Sequence, residues 1–318
     1  MRNIPSLNFS ALEIFRQVAT EGSILGAAAK LNRVQSNVST RIKQLEAQLG
    51  TELFLRGARG LTLTDDGQVL LQYADRLIAL SNEAVDALHA ADPSGPFRIG
   101  TMESTAASRL PAVLSRYHSA YPKVQLHLVT DTAGGLTRRL LNSEIDAAFI
   151  AEPLMVDGVA AEPVFEEQLM LVAPSSFPSL RDKQDINGKT IVAFEEGCAY
   201  RRYLQEWLVE EDIRPGQILS VGSYLAILAC VTAGTGYAVV PKSVLNGIAT
   251  AGEFQIHKLP ERYSRIRTLL AWRETFNSPK LEVLRTLLRS ADGDNPDSAN
   301  PDSVDTVAHD FTARRNAV

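Results

Sequence analysis

Residues 23–46 read SILGAAAKLNRVQSNVSTRIKQLE, and this stretch decides the fold of the first part of the chain. It spells a small-residue helix, a short turn and a second helix whose two faces have opposite chemistry. In the second helix Val38, Ile42, Leu45 and Leu49 recur at helical spacing and form one apolar stripe that must pack on something. The opposite face carries Asn37, Thr40, Arg41 and Gln44. These amides, hydroxyl and guanidinium can hydrogen-bond base edges and phosphates in a DNA major groove. Lys30, Arg33, Arg41 and Lys43 add positive charge, and no Asp or Glu interrupts residues 22–45. An ordinary amphipathic surface helix would show the same periodicity, so the flanks carry the distinction. Ala27, Ala28 and Leu31 make the preceding helix slim enough to cross close to its neighbour, and Asn32-Arg33-Val34 fits the connection of a helix-turn-helix. Leu12, Phe15, Val18 and Ala19 predict a third helix that closes a small core, and Gly50 ends the second helix. Residues 51–67, TELFLRGARGLTLTDDG, read as two short strands around Gly57 and Gly60 with Arg56 and Arg59 at the bend. Such a basic hairpin would be a wing touching phosphates.

These elements together resemble the winged helix-turn-helix of LysR-type transcriptional regulators over residues 7–67 without a gap. The resemblance is carried by Ala27, Ala28, Leu31, Gln35, Ser39, Leu45, Glu46, Leu49, Gly50, Leu53, Phe54, Arg56, Leu63, Thr64 and Gly67. Leu55 departs from it, standing where the family often has a charged residue. The candidate DNA-binding residues are Gln35, Ser36, Asn37, Thr40, Arg41, Lys43, Arg56 and Arg59.

Charge distribution agrees with local binding of DNA. The 318 residues carry a net charge of -5 and are 45% hydrophobic, enough to bury two or three modest cores. Residues 1–65 alone hold eight Lys/Arg against five Asp/Glu, a net +3. A basic surface on an acidic protein suits site-specific binding better than bulk coating of nucleic acid. Only two cysteines, no N-terminal apolar segment and no run of eighteen apolar residues predict a soluble, cytoplasmic protein with no membrane partner. The five histidines cluster neither with one another nor with cysteine, so no metal or other cofactor is expected.

From Thr64 the pattern becomes one long helix, with Thr64 as N-cap and Asp65-Asp66 in the first turn. Two apolar stripes run along it, one through Leu71, Ala74, Ile78, Ser81, Val85 and Leu88, the other through Leu70, Tyr73, Leu77, Leu80, Ala84 and Ala87. So wide a band calls for a large partner, either the rest of its own chain or a second copy. The resemblance implies the second, a linker helix pairing two winged domains in a dimer or tetramer.

The expected organisation is a winged helix-turn-helix domain over 1–65, a linker and dimerisation helix over 66–90, a hinge over 91–96, and an α/β effector domain over 97–290. Its first lobe is expected over 97–162 and 265–290, and its second over 163–264. The segments FRIGTM, VQLHLVT and AAFIAE alternate with helices, and a second series follows in QLMLVAP, TIVAFEEG, ILSVGS and YAVVP. That pattern predicts two doubly wound, mostly parallel lobes with ligand residues at the carboxyl ends of the strands. The resemblance implies an effector-binding domain similar to periplasmic binding proteins.

Three strand-to-helix junctions are candidate effector sites: Glu103, Ser104 and Thr105; Tyr200 and Arg201; and Ser223 and Tyr224. Hydroxyls and helix amides suit an anion, the Arg201 fork suits a carboxylate, and Glu103 could receive an ammonium group. Gly234-Thr235-Gly236 lacks the third glycine of a dinucleotide site and reads as a turn. Cys198, at a helix start, raises a redox alternative, and Cys230 reads as a core residue. Residues 291–318, rich in Asp, Asn, Ser and Pro, have too little apolar surface to order themselves and are expected to be disordered.

No nucleophile elbow, P-loop or zinc-protease motif calls for an enzyme. The expected function is allosteric control of transcription by a small carboxylate or amino acid, with promoter DNA and RNA polymerase as partners. The alternatives are a solute-binding module or a ligand-processing enzyme fused to an assembly domain.

Overall fold

A computed structural model describes residues 7–57, 60–88, 93–248, 254–291 and 309–310. The chain forms two compact units, one reaching to Ala90 and one built from Ala91 onward.

The first unit begins with α1 (Phe9–Glu21), α2 (Ile24–Lys30) and α3 (Gln35–Leu49). Asn8 and Ser23 cap the first two helices through Ser10 N at 2.9 Å and Gly26 N at 3.0 Å. Leu12, Phe15 and Val18 of α1 pack with Ala27 and Ala28 of α2 and with Val38, Ile42 and Leu45 of α3, which makes the helical stripes one core. Asn32 turns the chain with a φ of 50°, a left-handed conformation that asparagine tolerates. The hairpin β1 (Phe54–Gly57) and β2 (Gly60–Leu63) follows. Leu61 N donates to Gly22 O at 2.8 Å, and the strand runs so close that a Cβ on Gly60 would stand 2.7 Å from that oxygen. Glu46 on α3 accepts from Leu53 N at 2.9 Å, tying the helix to the strand that follows it. The last helix of the unit, α4 (Asp65–Leu88), is capped by Thr64 Oγ1 through Gly67 N at 2.9 Å. Its Gly67 has no room for a side chain, since a Cβ would lie 2.2 Å from Leu53 O.

The second unit opens with β3 (Gly95–Thr101), α5 (Glu103–Ser108), α6 (Leu110–Ala120), β4 (Val124–Thr130), α7 (Ala133–Leu141) and β5 (Ala147–Ala151). β3 lies between β4 and β5, parallel to both. The long strand β6 (Val159–Pro174) leads out of this lobe, and a short 3-10 turn at Lys183–Ile186 precedes the second series. That series is β7 (Thr190–Phe194), α8 (Ala199–Glu210), β8 (Gln217–Val221), α9 (Tyr224–Thr232), β9 (Tyr237–Pro241), α10 (Lys242–Ile248) and β10 (Phe254–Lys258). Here β7 is parallel to β8 and β9. The short α11 (Glu261–Ser264) and the strand β11 (Arg265–Arg273) return the chain to the first lobe, where α12 (Pro279–Ala291) packs.

The sheet is therefore mixed rather than mostly parallel. Each lobe holds a parallel trio, but β6 and β11 are antiparallel to each other and to the strands they join. A chain that leaves a lobe and comes back must run in both directions, which forces the antiparallel pair. The pair is bulged where Thr268 faces Phe165 and Leu269 faces Pro163. Proline has no N–H for a ladder bond, so the register slips there.

Of the C-terminal segment, His309–Asp310 forms a two-residue strand β12 beside β10, and the rest from residue 292 on lies outside the described residues, as does the expectation of disorder there. Among the described residues no helix is long and apolar enough to cross a membrane.

Candidate functional site

The first unit presents α3 with its faces divided as the periodicity demands. Val38, Ile42 and Leu45 are buried, while Gln35, Ser36, Asn37, Thr40, Arg41 and Lys43 are exposed. Arg41 is held only by a 3.5 Å contact to Gln44, at the limit of a hydrogen bond, so its guanidinium can turn toward a ligand. Between α3 and the hairpin lies a groove of about 790 Å³, lined by Gln35, Ser39 and Lys43 on one side and Leu55, Gly57 and Gly60 on the other. Arg56 sits in the hairpin with its backbone opposite Leu61, while Arg59 lies outside the described residues.

In the second unit the three predicted junctions come together where the lobes meet. Glu103, at the start of α5, reaches across to α9, accepting from Ser223 Oγ at 3.3 Å and from Tyr224 N at 3.4 Å. Burial raises the Glu103 carboxyl above the usual range, and the two hydrogen bonds offset this only in part. Tyr224 packs near Tyr200, with ring centroids 6.4 Å apart and the planes tilted by 50°. Ser104, Thr105, Tyr200 and Tyr224 are all buried in this seam. The Thr105 hydroxyl is buried without a hydrogen-bond partner among the described residues, and the Tyr200 hydroxyl lies near those of Ser104 and Thr268. An unsatisfied buried hydroxyl costs about 1–3 kcal/mol, a cost a polar partner would remove.

Arg201 lines the cavity beside α8 and is partly committed within its own lobe. Its Nη1 donates to Phe194 O at 3.0 Å and Ser220 Oγ at 2.9 Å, and its Nη2 lies 3.7 Å from Glu196 Oε1. The cavity beside it, about 480 Å³, is lined by Gly134 and Ala151 from the first lobe and Gly197, Cys198, Arg202 and Gln205 from the second. That volume lies within the range of small-molecule sites. Arg202 lines it as well, about half exposed, with a weak 3.5 Å bond to Glu152 O, a 3.6 Å pairing with Glu206 and its guanidinium 5.3 Å from the Tyr203 ring centroid. The first turn of α8 opens here with Cys198 as its N-cap, a weak acceptor whose thiol lies by the backbone amides of Tyr200 and Arg201. Burial pushes the Cys198 thiol up, the opposite of what a reactive thiolate needs, and the sulfur sits 3.9 Å from Tyr224 Oη. Cys230 is partly buried against the core of the second lobe.

A buried polar chain beside the seam was not predicted from the sequence. Arg109 donates to Glu167 Oε1 at 2.8 Å, Ser243 donates to Glu167 Oε2 at 2.6 Å, and the Ser108 and Ser243 hydroxyls are 3.1 Å apart. Glu167 lies in the crossing strand β6, so this chain joins both lobes to the connection between them. Thr268, in the other crossing strand, was missed as well. A threonine inside an apolar strand carries no signal of its own, whereas a glutamate in the run VFEEQL could have been singled out as a charge entering a buried strand.

Comparison with known proteins gives consistent results. Residues 9–68 match the family described as bacterial regulatory helix-turn-helix protein, lysR family, and residues 90–293 match the LysR substrate binding domain. The HTH-type transcriptional regulator GltR of Bacillus subtilis is 38% identical over 285 residues, covering 89% of this chain and 96% of GltR. The HTH-type transcriptional regulator SoxR of an Arthrobacter species is 35% identical over 282 residues, covering 88% of this chain and 96% of SoxR. Among solved structures, a full-length OxyR variant from Pseudomonas aeruginosa superposes with a TM-score of 0.70 at 22% identity, covering 89% of this chain and 95% of that one. Full-length CbnR in complex with its target DNA gives 0.66 at 21% identity, covering 90% of this chain and all of CbnR.

Proposed function

Because this chain belongs to the LysR family of bacterial transcriptional regulators, we propose that α3 enters the major groove of promoter DNA and that a small carboxylate, amino acids included, binds between the lobes of the second unit. The observation that carries the DNA reading is the division of α3, whose apolar stripe is wholly committed to the core while a polar face free of acidic residues stays exposed. Gln35, Ser36, Asn37 and Thr40 read base edges, and Arg41, Lys43 and the wing arginines Arg56 and Arg59 hold phosphates. A helix-turn-helix with these residues on one helix serves a dimer on a two-fold symmetric site. The partner subunit is a second copy joined through α4, in a dimer or tetramer, and the promoter complex acts with RNA polymerase in the cytoplasm.

The effector reading rests on the first turn of α8, the Arg202 head group and the 480 Å³ cavity that contains both. A helix N-terminus and a guanidinium together favour a carboxylate. The buried hydroxyls of Ser104, Thr105, Tyr200 and Thr268, with Glu103, Ser223 and Tyr224, form the seam that closure tightens or loosens. A ligand that binds one closure state more tightly shifts the population toward it and so alters how paired winged domains meet DNA.

Footprinting across the gene's own upstream region at two salt concentrations, with Arg41→Ala as control, tests the DNA reading. Two-fold symmetric protection lost in the variant is the expected result. Weak, salt-erased protection without sequence preference would remove it and leave a solute-binding module.

A further inference from the structure

Three of the four helices in the first unit begin with a polar side chain that caps them. Asn8 accepts from Ser10 N at 2.9 Å, Ser23 from Gly26 N at 3.0 Å and Thr64 from Gly67 N at 2.9 Å. The exception is α3. Its N-cap is Val34, whose carbonyl accepts from Asn37 N at 3.0 Å and Val38 N at 3.3 Å while its side chain makes no cap hydrogen bond. Valine is among the least favourable residues at this position, where serine, threonine, asparagine or aspartate satisfies a free amide. The isopropyl group does not recover that loss by packing, because Val34 is 68% exposed. Nor can it serve as a hydrophobic staple, which uses the residue before the N-cap, here Arg33. It stands beside Gln35, Ser36 and Asn37, all exposed, at the end of the helix that meets base edges first in a helix-turn-helix.

An apolar group at that place has one distinctive partner in B-DNA, the C5 methyl of thymine, which no other base presents in the major groove. We propose that Val34 is a specificity-determining residue that packs against a thymine methyl in each half of the operator, and that the polar cap of α3 is given up for this contact. The proposal rests on α3 being the DNA-reading helix.

The test uses the full chain and the upstream sequence that footprinting protects, with each thymine of a half-site replaced singly by deoxyuridine, which removes only the methyl group. Wild-type protein is expected to lose about fourfold in affinity at one thymine position, the worth of one buried methyl at ~0.8 kcal/mol, and to be indifferent at the others. Val34→Ser, which restores a capping hydroxyl, should melt at a higher temperature than wild type and bind the thymine and deoxyuridine duplexes equally. The gain in melting temperature shows that its changed binding does not come from unfolding. A wild-type protein indifferent to deoxyuridine at every position overturns the proposal, and so does a Val34→Ser variant that keeps the same deoxyuridine penalty. Absence of any specific protection in the initial footprint overturns the DNA reading itself, a failure distinct from specific binding without methyl dependence.

Discussion

At the scale of single residues, the exposed face of α3 separates two kinds of contact that respond differently to mutation. Asn37 carries an amide that can pair with a base edge, and Lys43 a point charge suited to phosphate. Asn37→Ala is expected to compress the difference between operator and random DNA by about tenfold, within the 1–3 kcal/mol that a well-placed base contact contributes. Lys43→Ala should weaken every duplex alike and flatten the slope of log affinity against log salt by about one. Titrations of both variants on specific and scrambled duplexes at three salt concentrations check the pair. Equal loss of specificity in the two would show that the faces are wrongly divided. This face was legible in the sequence because a period of 3.6 sorts side chains without reference to anything outside the helix. The partners of Arg201 were not, since its Nη1 donates to Phe194 O and Ser220 Oγ, groups contributed by two strands. Residue type announces that an arginine will bind an acceptor, and only the tertiary fold selects which one.

Among the elements, α4 leaves several large apolar side chains exposed. Its first stripe divides along its length, with Ala74 and Ile78 buried against α1 to α3 while Val85 and Leu88 stay exposed. On the other face Tyr73 is 55% and Leu80 62% exposed within the single chain. Burial of such side chains against a second copy would contribute on the order of 1.5–3 kcal/mol each. Replacing both by aspartate should leave the unit folded, because neither touches its core, yet place like charges across a two-fold interface. Sedimentation of Tyr73→Asp with Leu80→Asp is expected to show the mass falling by half or more. An unchanged mass at an unchanged melting temperature would move the self-association surface away from α4. The two stripes could be read from spacing alone, whereas the first half of β6 could not. In VAAEPVFEE three glutamates and a proline disguise a strand whose pairing with β11 supplies the reason it is extended. Strands that join lobes draw their stability from distant partners, and the local pattern is correspondingly weak.

For the whole molecule, the question is what sets the balance between closure states of the two lobes, and Glu103 offers a way to read it. Its carboxyl stands on the first lobe and is held by Ser223 and Tyr224 of the second. Burial in the seam raises its pKa, so the protonated form is the one the closed arrangement favours. A group raised in the folded state stabilises fully below its unfolded value and loses that contribution as pH rises through the folded one. Glu152 and Glu162, held low by hydrogen bonds from Arg267 and Arg285, behave in the opposite sense and lose theirs as pH falls. The melting profile of the wild type therefore mixes both signs, and the difference from Glu103→Gln isolates one of them. The glutamine variant is expected to melt above wild type at pH 7, with the gap closing as pH falls past the raised Glu103 value toward its ordinary 4.5. Both proteins then present a neutral group to α9. An effector bearing an ammonium group near this carboxylate would stabilise the charged form and narrow the gap at pH 7, whereas a plain carboxylate bound at α8 and Arg202 would leave it in place. Scanning calorimetry of both proteins from pH 4.5 to 8, alone and with amino acids or their deaminated analogues, distinguishes these cases. A gap that does not depend on pH would mean that the charge on Glu103 plays no part in holding the lobes.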